Sequence, residues 1–313
     1  MAAFIAKRLL ATIPVMLVVA LIIFLLLFLT PGDPAIVIAG DHATTDDIAR
    51  IREQLGLNQP FYLRFLMWLG QLARGDLGVS IFSNMPVSQL ILQRAEPTLS
   101  LALTTMLIAI PTAIFLGVVG AAKARTWVDR GVMLFAVIGF SMPIFVLGYC
   151  LIYLFAIELD LVPVQGFASI RQGIGPFLRS MILPALTLSV IYIALLARIT
   201  RTSMLEVMHE DYIRTARAKG VGEIKILIFH GLRNAAVPIV TIIGISTALL
   251  ISGSVVVESV YNLPGVGRLL IDAIAKRDYP VIQGVVLAFS FLYVFVNLLV
   301  DIAYAFLDPR IRY

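Results

Sequence analysis

Six stretches of this chain carry no Asp, Glu, Lys, Arg or His: about Leu9–Thr30, Leu99–Ala122, Gly131–Ile157, Ser180–Ala197, Asn234–Val257 and Tyr279–Val300. Each holds about 18 or more residues, enough at about 1.5 Å per residue to cross a hydrocarbon core of about 30 Å. Inside lipid every backbone N–H and C=O must be satisfied within the segment, so each stretch is predicted to be a helix. The pattern predicts an all-α polytopic membrane protein with six transmembrane helices. Lys7 and Arg8 precede the first stretch as they would in a secretory signal. Its apolar run is longer than a signal core of about 7–15 residues, however, and no small-x-small site follows. Pro31-Gly32-Asp33-Pro34 follows instead, a helix stop, and the stretch is read as an anchor.

The polar segments divide the chain into 1–30, the first transmembrane anchor; 31–97, an extracytoplasmic segment; and 98–313, a five-helix core with a cytoplasmic loop at about 204–233. In the second of these, Thr44-Thr45-Asp46-Asp47 followed by Ile48, Ile51, Leu55 and Gly56 predicts a capped helix with an apolar stripe. Pro60–Gly75 predicts another, carrying Phe61, Tyr62, Phe65 and Trp68 with Arg64 and Arg74. Aromatics interleaved with Arg suit the headgroup level; packing on the outer ends of the spans is the plainer alternative, and the two are compatible. Pro86–Pro97 predicts a short amphipathic helix leading into the second span. Beyond the fifth span, Gly265 and Gly267 supply a tight turn before a short helix at Leu269–Ala275.

Composition sharpens this picture. The chain is 60% hydrophobic and 14% charged, against about 25% charged residues in soluble domains. Fourteen of the 24 basic residues fall in the amino terminus, the second loop, the long loop and the tail, including Lys123, Arg125, Arg130, Arg198, Arg201, Arg310 and Arg312. The positive-inside rule puts both termini in the cytoplasm. The net charge of +5 is this topology signal, so no nucleic-acid partner is implied. The single cysteine, Cys150, lies within the third span and is read as a small apolar filler.

Catalytic constellations are missing from the sequence. His42, His209 and His230 all lie outside the spans, which excludes an intramembrane Ser–His protease. Asp301, at an inner end, is the only candidate, and an aspartyl membrane protease needs two membrane-buried Asp. Neither a His-Glu-x-x-His metal site nor a Gly-x4-Gly-Lys-Ser/Thr nucleotide loop is present. The chain is therefore expected to be no enzyme, with no metal and no cofactor of its own. An ion-coupled secondary transporter of small solutes is the rival reading. Such carriers usually place an ionisable group near mid-membrane, and these spans have none, so the energy must enter from outside the lipid.

The long loop, Arg198–Arg233, offers that entrance. Glu206, Glu210, Arg214 and Arg217 stand about one turn apart, so opposite charges are expected to pair along one helix. Gly220 and Gly222 end it, and Glu223–Phe229 predicts a second helical piece. A basic loop that only enforces topology is the plain alternative. Asp211-Tyr212-Ile213-Arg214-Thr215-Ala216-Arg217-Ala218-Lys219-Gly220, with Gly231-Leu232-Arg233-Asn234-Ala235, resembles the coupling loop of ATP-binding-cassette importer permeases, whose pattern is Glu-Ala-Ala-x3-Gly-x9-Ile-x-Leu-Pro. Aligned on Gly220, Ala216, Gly220 and Leu232 match, while Arg214 stands for Glu and Arg233 for Pro. Those departures resemble the peptide-permease branch. So do Pro31-Gly32-Asp33-Pro34, Gly75-Asp76-Leu77-Gly78, Arg277-Asp278-Tyr279-Pro280-Val281 and Asp308-Pro309-Arg310-Ile311-Arg312, which span the chain in order.

The resemblance implies a MetI-like permease core, of the first (B-type) kind in a dipeptide, oligopeptide or glutathione importer, in a bacterial inner membrane. It implies a second homologous permease, two cytoplasmic ATPases that bind ATP and Mg, an extracytoplasmic solute-binding protein and a peptide substrate. Tyr212, Arg214, Thr215, Ala216, Arg217, Ala218, Lys219 and Gly220 are then the ATPase-coupling residues. Their cations would meet an acidic groove rim, and Ala216, Ala218 and Gly220 would allow close seating. The candidate translocation path is Ser246, Thr247, Ser252 and Ser254 in the fifth span and Asn297 in the sixth, with Glu258 and Arg268 guarding the outer mouth. Helix–helix packing accounts for the hydroxyls equally. Pro111, Pro143, Pro184 and Pro238 interrupt spans and offer bends.

Overall fold

The computed structural model describes residues 2–29, 35–36, 44–54 and 58–307. Pro31–Pro34, His42, Leu55, Gly56 and the tail Asp308–Arg312 lie outside them. Among the described residues the chain is helical, with one isolated antiparallel bridge, Val79–Pro86. α1 (Ala2–Leu29) is followed by α2 (Thr45–Gln54) and α3 (Phe61–Ala73). Next come α4 (Val87–Ala122), α5 (Trp127–Ser141), α6 (Ile144–Leu151) with a wide-turned continuation Ile152–Glu158, and α7 (Ile174–Met208). α8 (Asp211–Ala218) and α9 (Glu223–Lys225), the latter continued by wide turns at Ile226–Leu232, lead into α10 (Ala236–Val260), α11 (Val266–Lys276) and α12 (Tyr279–Leu307).

Among the described residues four helices are long and apolar enough to cross a membrane: α4, α7, α10 and α12 as far as Ile302. The third expected span is broken. α5 and the stretch Ile144–Glu158 meet at a bend of 105°. Pro143 causes it, because the residue before a proline is pushed from the helical region and Met142 sits at ψ 126°. α1 contributes an apolar stretch at Leu10–Leu26. The described residues thus supply four full spans, five with the bent pair, against six expected. Pro97 also departs from expectation. The predicted helix before the second span runs straight through it, so α4 is one helix of 36 residues.

α7 is the central post, packed by α4 along its length and by α10, α5 and α6. Met181, Leu188, Leu196 and Ala197 on α7, Leu101 on α4 and Leu250 on α10 are fully buried in one cluster. Missing side chains let the helices close. A Cβ on Gly117 would lie 2.5 Å from Thr200 Cβ, and one on Gly253 3.0 Å from Leu188 Cδ1. α1 runs beside α12, where Ala20, Ile23 and Leu287 are buried together and Arg8 pairs with Asp301 at 3.1 Å. α3 packs on the far half of that pair. Phe24 of α1 receives Phe61, Phe65 and Trp68 with ring centroids 5.3–5.4 Å apart, so the packing alternative for these aromatics holds.

Two motifs distant in sequence close one contact at the same end. Asp278 is buried and accepts Ser80 Oγ at 2.6 Å and the Ile81 N–H at 3.2 Å. Gly78, at φ +86°, brings the Gly75–Gly78 loop against Pro280.

Candidate functional site

The basic loop is a built platform. α7 continues without a break to Met208, then His209 and Glu210 turn the chain and α8 begins at Asp211. Glu210 is extended, at φ −67° and ψ 146°, so the single helix expected to carry Glu206, Glu210, Arg214 and Arg217 does not form. Pairing is local instead. Arg214 meets Asp211 at 3.2 Å, and Arg217 forks onto Glu223 at 2.8 and 3.4 Å. The second fork ties α8 to α9.

α8 ends on Gly220. The Gly220 N–H donates to Arg217 O at 2.9 Å and the Val221 N–H to Ala216 O at 3.2 Å, the paired bonds of a Schellman cap, with Gly220 left-handed at φ +77°. A Cβ there would meet nothing within 4 Å. The glycine therefore answers the turn, and close seating of a partner need not be invoked for it. Ala216 departs from expectation too. With Ile213 and Ile226 it is buried in a small cluster beside Met208 and Val221. It sits against this chain's own support. Tyr212, Arg214, Thr215, Arg217, Ala218, Lys219 and Gly220 remain exposed. The Tyr212 phenol is pushed above its ordinary pKa by partial burial and by Glu210, so it stays a neutral donor.

The platform is braced on α7 and α5. Gly231, on the return leg, would place a Cβ 2.8 Å from Met204 Cε, so that leg lies flat on α7. Below it Arg201 forks onto Asp129, through Nε and through Nη2 at 2.7 Å, and Asp129 also takes the Arg125 N–H at 2.9 Å. Sequence reasoning missed this brace. Its signal was the lone acid, Asp129, between Arg125 and Arg130 in a basic loop.

The path candidates are not gathered on one surface. Ser246 and Ser254 are buried; Ser254 bonds Ile251 O at 2.7 Å. Thr247 bonds Ile243 O at 2.7 Å and lies 3.7 Å from Met106 Sδ on α4. Ser252 faces outward with Ile245, Leu249 and Val256, and Asn297 is half-buried. A cleft of about 170 Å³ between α5 and α7, lined by Phe140, Ser141, Leu195 and Arg198 among others, includes none of them.

Glu258 does not guard a mouth. It is fully buried, and its carboxylate caps the start of α11. Oε2 accepts the Arg268 N–H at 2.9 Å, Oε1 accepts Thr98 Oγ1 at 2.6 Å, and the Gly267 N–H adds a third donor. Thr98 in turn accepts the Val266 N–H at 2.8 Å. A Cβ on Gly265 would fall 2.2 Å from Glu258 Cδ. The Gly265-Val266-Gly267 turn is therefore the seat of a carboxylate from the end of α10. That clasp joins α4, α10 and α11 at the end of the bundle away from the platform.

Residues 109–313 match the family described as binding-protein-dependent transport system inner membrane component. Residues 1–102 match the N-terminal region described for the corresponding membrane component. A probable peptide ABC transporter permease protein of Sinorhizobium fredii is 53% identical over 313 residues, all of both chains. The glutathione transport system permease protein GsiC of Salmonella choleraesuis is 44% identical over 310 residues, 99% of each chain. A chain from the inward facing conformations of the MetNI methionine ABC transporter shares the fold with a TM-score of 0.55 at 18% identity, covering 71% of this chain and 97% of that one.

Proposed function

We propose a function from one premise: this chain belongs to the family of binding-protein-dependent transport system inner membrane components. It is a multi-pass permease subunit of an ATP-driven importer whose cargo is a peptide. Relatives named for peptide and for glutathione, itself a tripeptide, support that cargo class. The chain forms half of the translocation path beside a second homologous permease and performs no chemistry itself. ATP and Mg are held by two cytoplasmic ATPases, and an extracytoplasmic binding protein delivers the peptide. Both termini lie on the cytoplasmic side with the platform. The Arg8–Asp301 pair supports this, because it levels the start of α1 with the end of α12.

One observation carries the coupling role. The exposed face of α8 and its cap gathers Tyr212, Arg214, Arg217 and Lys219 on a mount held to the central helix by Ile213 and Ala216 beside Met208, and the Arg201–Asp129 pair ties that helix to α5. A loop that merely set topology would need no such mount. Motion of an ATPase docked there would be passed to α7 through the packing of Ile213 and Ala216 beside Met208. The test is Ala218→Trp, at an exposed helical position with no backbone constraint, beside Lys219→Glu. Membrane insertion is expected to survive, with ATPase association and peptide uptake lost. Normal uptake by both variants removes the assignment. Uptake that collapses with an uncoupler while ATP is maintained would instead favour an ion-coupled carrier.

A further inference from the structure

α3 is apolar over most of its surface. Phe61, Phe65, Trp68, Leu69 and Leu72 face α1 and α12. Its opposite face carries Tyr62, Leu66 and Met67 at 63%, 59% and 52% exposure. A helix standing in water on a folded support turns polar residues outward; here Arg64 and Gln71 are the only polar side chains in thirteen residues, apart from the Tyr62 hydroxyl and the Trp68 N–H.

Depth follows from the helices it rests on. The Arg8–Asp301 ion pair is not fully covered by protein, and two charges left uncovered belong at one boundary of the hydrocarbon core. From Arg8 to Phe24 is 16 residues of α1, a rise of about 24 Å. From Asp301 back to Leu287 is 14 residues of α12, about 21 Å. In a core of about 30 Å both anchor points of α3 fall about 6–9 Å short of the far boundary. Helices lying in a membrane interface sit about 5–10 Å deep. Leu21, Leu25 and Leu26 of α1, next to Phe24 in sequence, are exposed apolar side chains as well.

We propose that α3 is an in-plane membrane helix, embedded in the leaflet opposite the coupling platform, with Tyr62, Leu66 and Met67 in contact with acyl chains. The 31–97 segment is then divided: α3 belongs to the bilayer, and the loop at Gly75–Pro86 to the aqueous face. Arg64 stacks its guanidinium over Phe24 at 5.9 Å from the ring centroid, and its long side chain can reach the headgroup phosphates from that depth. The proposal rests on the permease reading for the presence of a bilayer, and its test scores the two separately.

The test uses the complete transporter, with Cys150→Ala, in phosphatidylethanolamine–phosphatidylglycerol vesicles. Single cysteines replace Tyr62, Leu66 or Met67 and carry a nitroxide. Leu107, exposed on α4, gives the lipid benchmark, and Ser83, exposed in the loop, the aqueous one. All three α3 labels are expected to collide with oxygen as Leu107 does and to be shielded from a water-soluble nickel chelate, at about 5–10 Å depth. Free access to nickel overturns the proposal. Shielding from both quenchers also overturns it, since protein would then be covering the face. ATP-dependent peptide uptake by the same vesicles reports on the permease assignment independently.

Discussion

Replacing Glu258 separates a structural clasp from a cargo contact. In Glu258→Ala the Gly267 and Arg268 N–H groups at the start of α11 lose their acceptor. The Thr98 hydroxyl can turn towards Arg94 O, already 3.5 Å away, so two donors are stranded rather than three. A buried unsatisfied donor costs about 1–3 kcal/mol, and the lost anion at a helix N-terminus about 0.3–2 kcal/mol. The expected loss is about 2–8 kcal/mol. Glu258→Gln keeps the shape: its carbonyl oxygen can serve the two N–H groups and its NH2 can face Thr98 Oγ1. It forfeits only the charge assistance, about 1–2 kcal/mol.

Thermal melting of the purified transporter reads this ranking. At about 2–4 °C per kcal/mol for a chain of this order of size, Ala should lower the midpoint by on the order of 10 °C and Gln by a few degrees. Gly265→Ala should resemble Glu258→Ala, because its Cβ would occupy the carboxylate's place at 2.2 Å. Peptide KM should be unchanged in Glu258→Gln. Wild-type melting for both Glu258 variants, together with a shifted KM, would refute the clasp and restore the guard at the mouth.

Three further substitutions probe other joints. Asp129→Ala strands the Arg201 guanidinium; a fully buried pair so broken costs about 3–5 kcal/mol, less here because Arg201 is 21% exposed. Asp129→Leu with Arg201→Met should recover most of the melting temperature, and an unaltered midpoint for Asp129→Ala alone would show that the brace bears no strain. Gly244→Ala would drive a Cβ to 2.2 Å from Val300 Cγ2 and should cost about 1–3 kcal/mol by overpacking. Val300→Ala in the same chain should restore stability, and failure to do so would place the clash elsewhere. Gly220→Ala should cost about 1–2 kcal/mol through its left-handed backbone, and Gly220→Asn less. ATPase association should persist in both, and its loss would return Gly220 to the docking surface.

The spans were legible because lipid imposes a simple rule: a run of uncharged residues must be helical. What broke the third span was legible only as a residue, Pro143, and not as an outcome. Proline inside α4 at Pro97 and Pro111 and inside α7 at Pro184 left those helices continuous, whereas Pro143 turned its chain by 105°. Burial of the proline does not decide the outcome: Pro184 is buried and Pro111 is exposed, yet both helices are continuous, whereas at the bend Met142 is extended at ψ 126°.

Helix faces are the harder problem, and the path candidates show why. In water a helix declares its buried side by apolar residues. In lipid both sides are apolar, so Ser252 outward and Ser254 inward, two residues apart, carry the same sequence signal. Glycine is the exception, since it marks contact by steric need. Gly117, Gly139, Gly148, Gly244 and Gly253 each face another helix within about 3 Å of a built Cβ. The same logic extends to the ends of the bundle, where it also reverses two expectations. Gly265 and Gly267 make room for the Glu258 carboxylate, so an acid that looked like a gatekeeper becomes a fastener. Ala216 makes room for α8 to sit on Ile226, so a small residue that looked like a docking contact becomes part of the mount. In both places smallness serves contact within the chain. Surfaces offered to partners must then be sought among the large exposed side chains: Tyr212, Arg214 and Lys219 on the platform, and Tyr62, Leu66 and Met67 on α3.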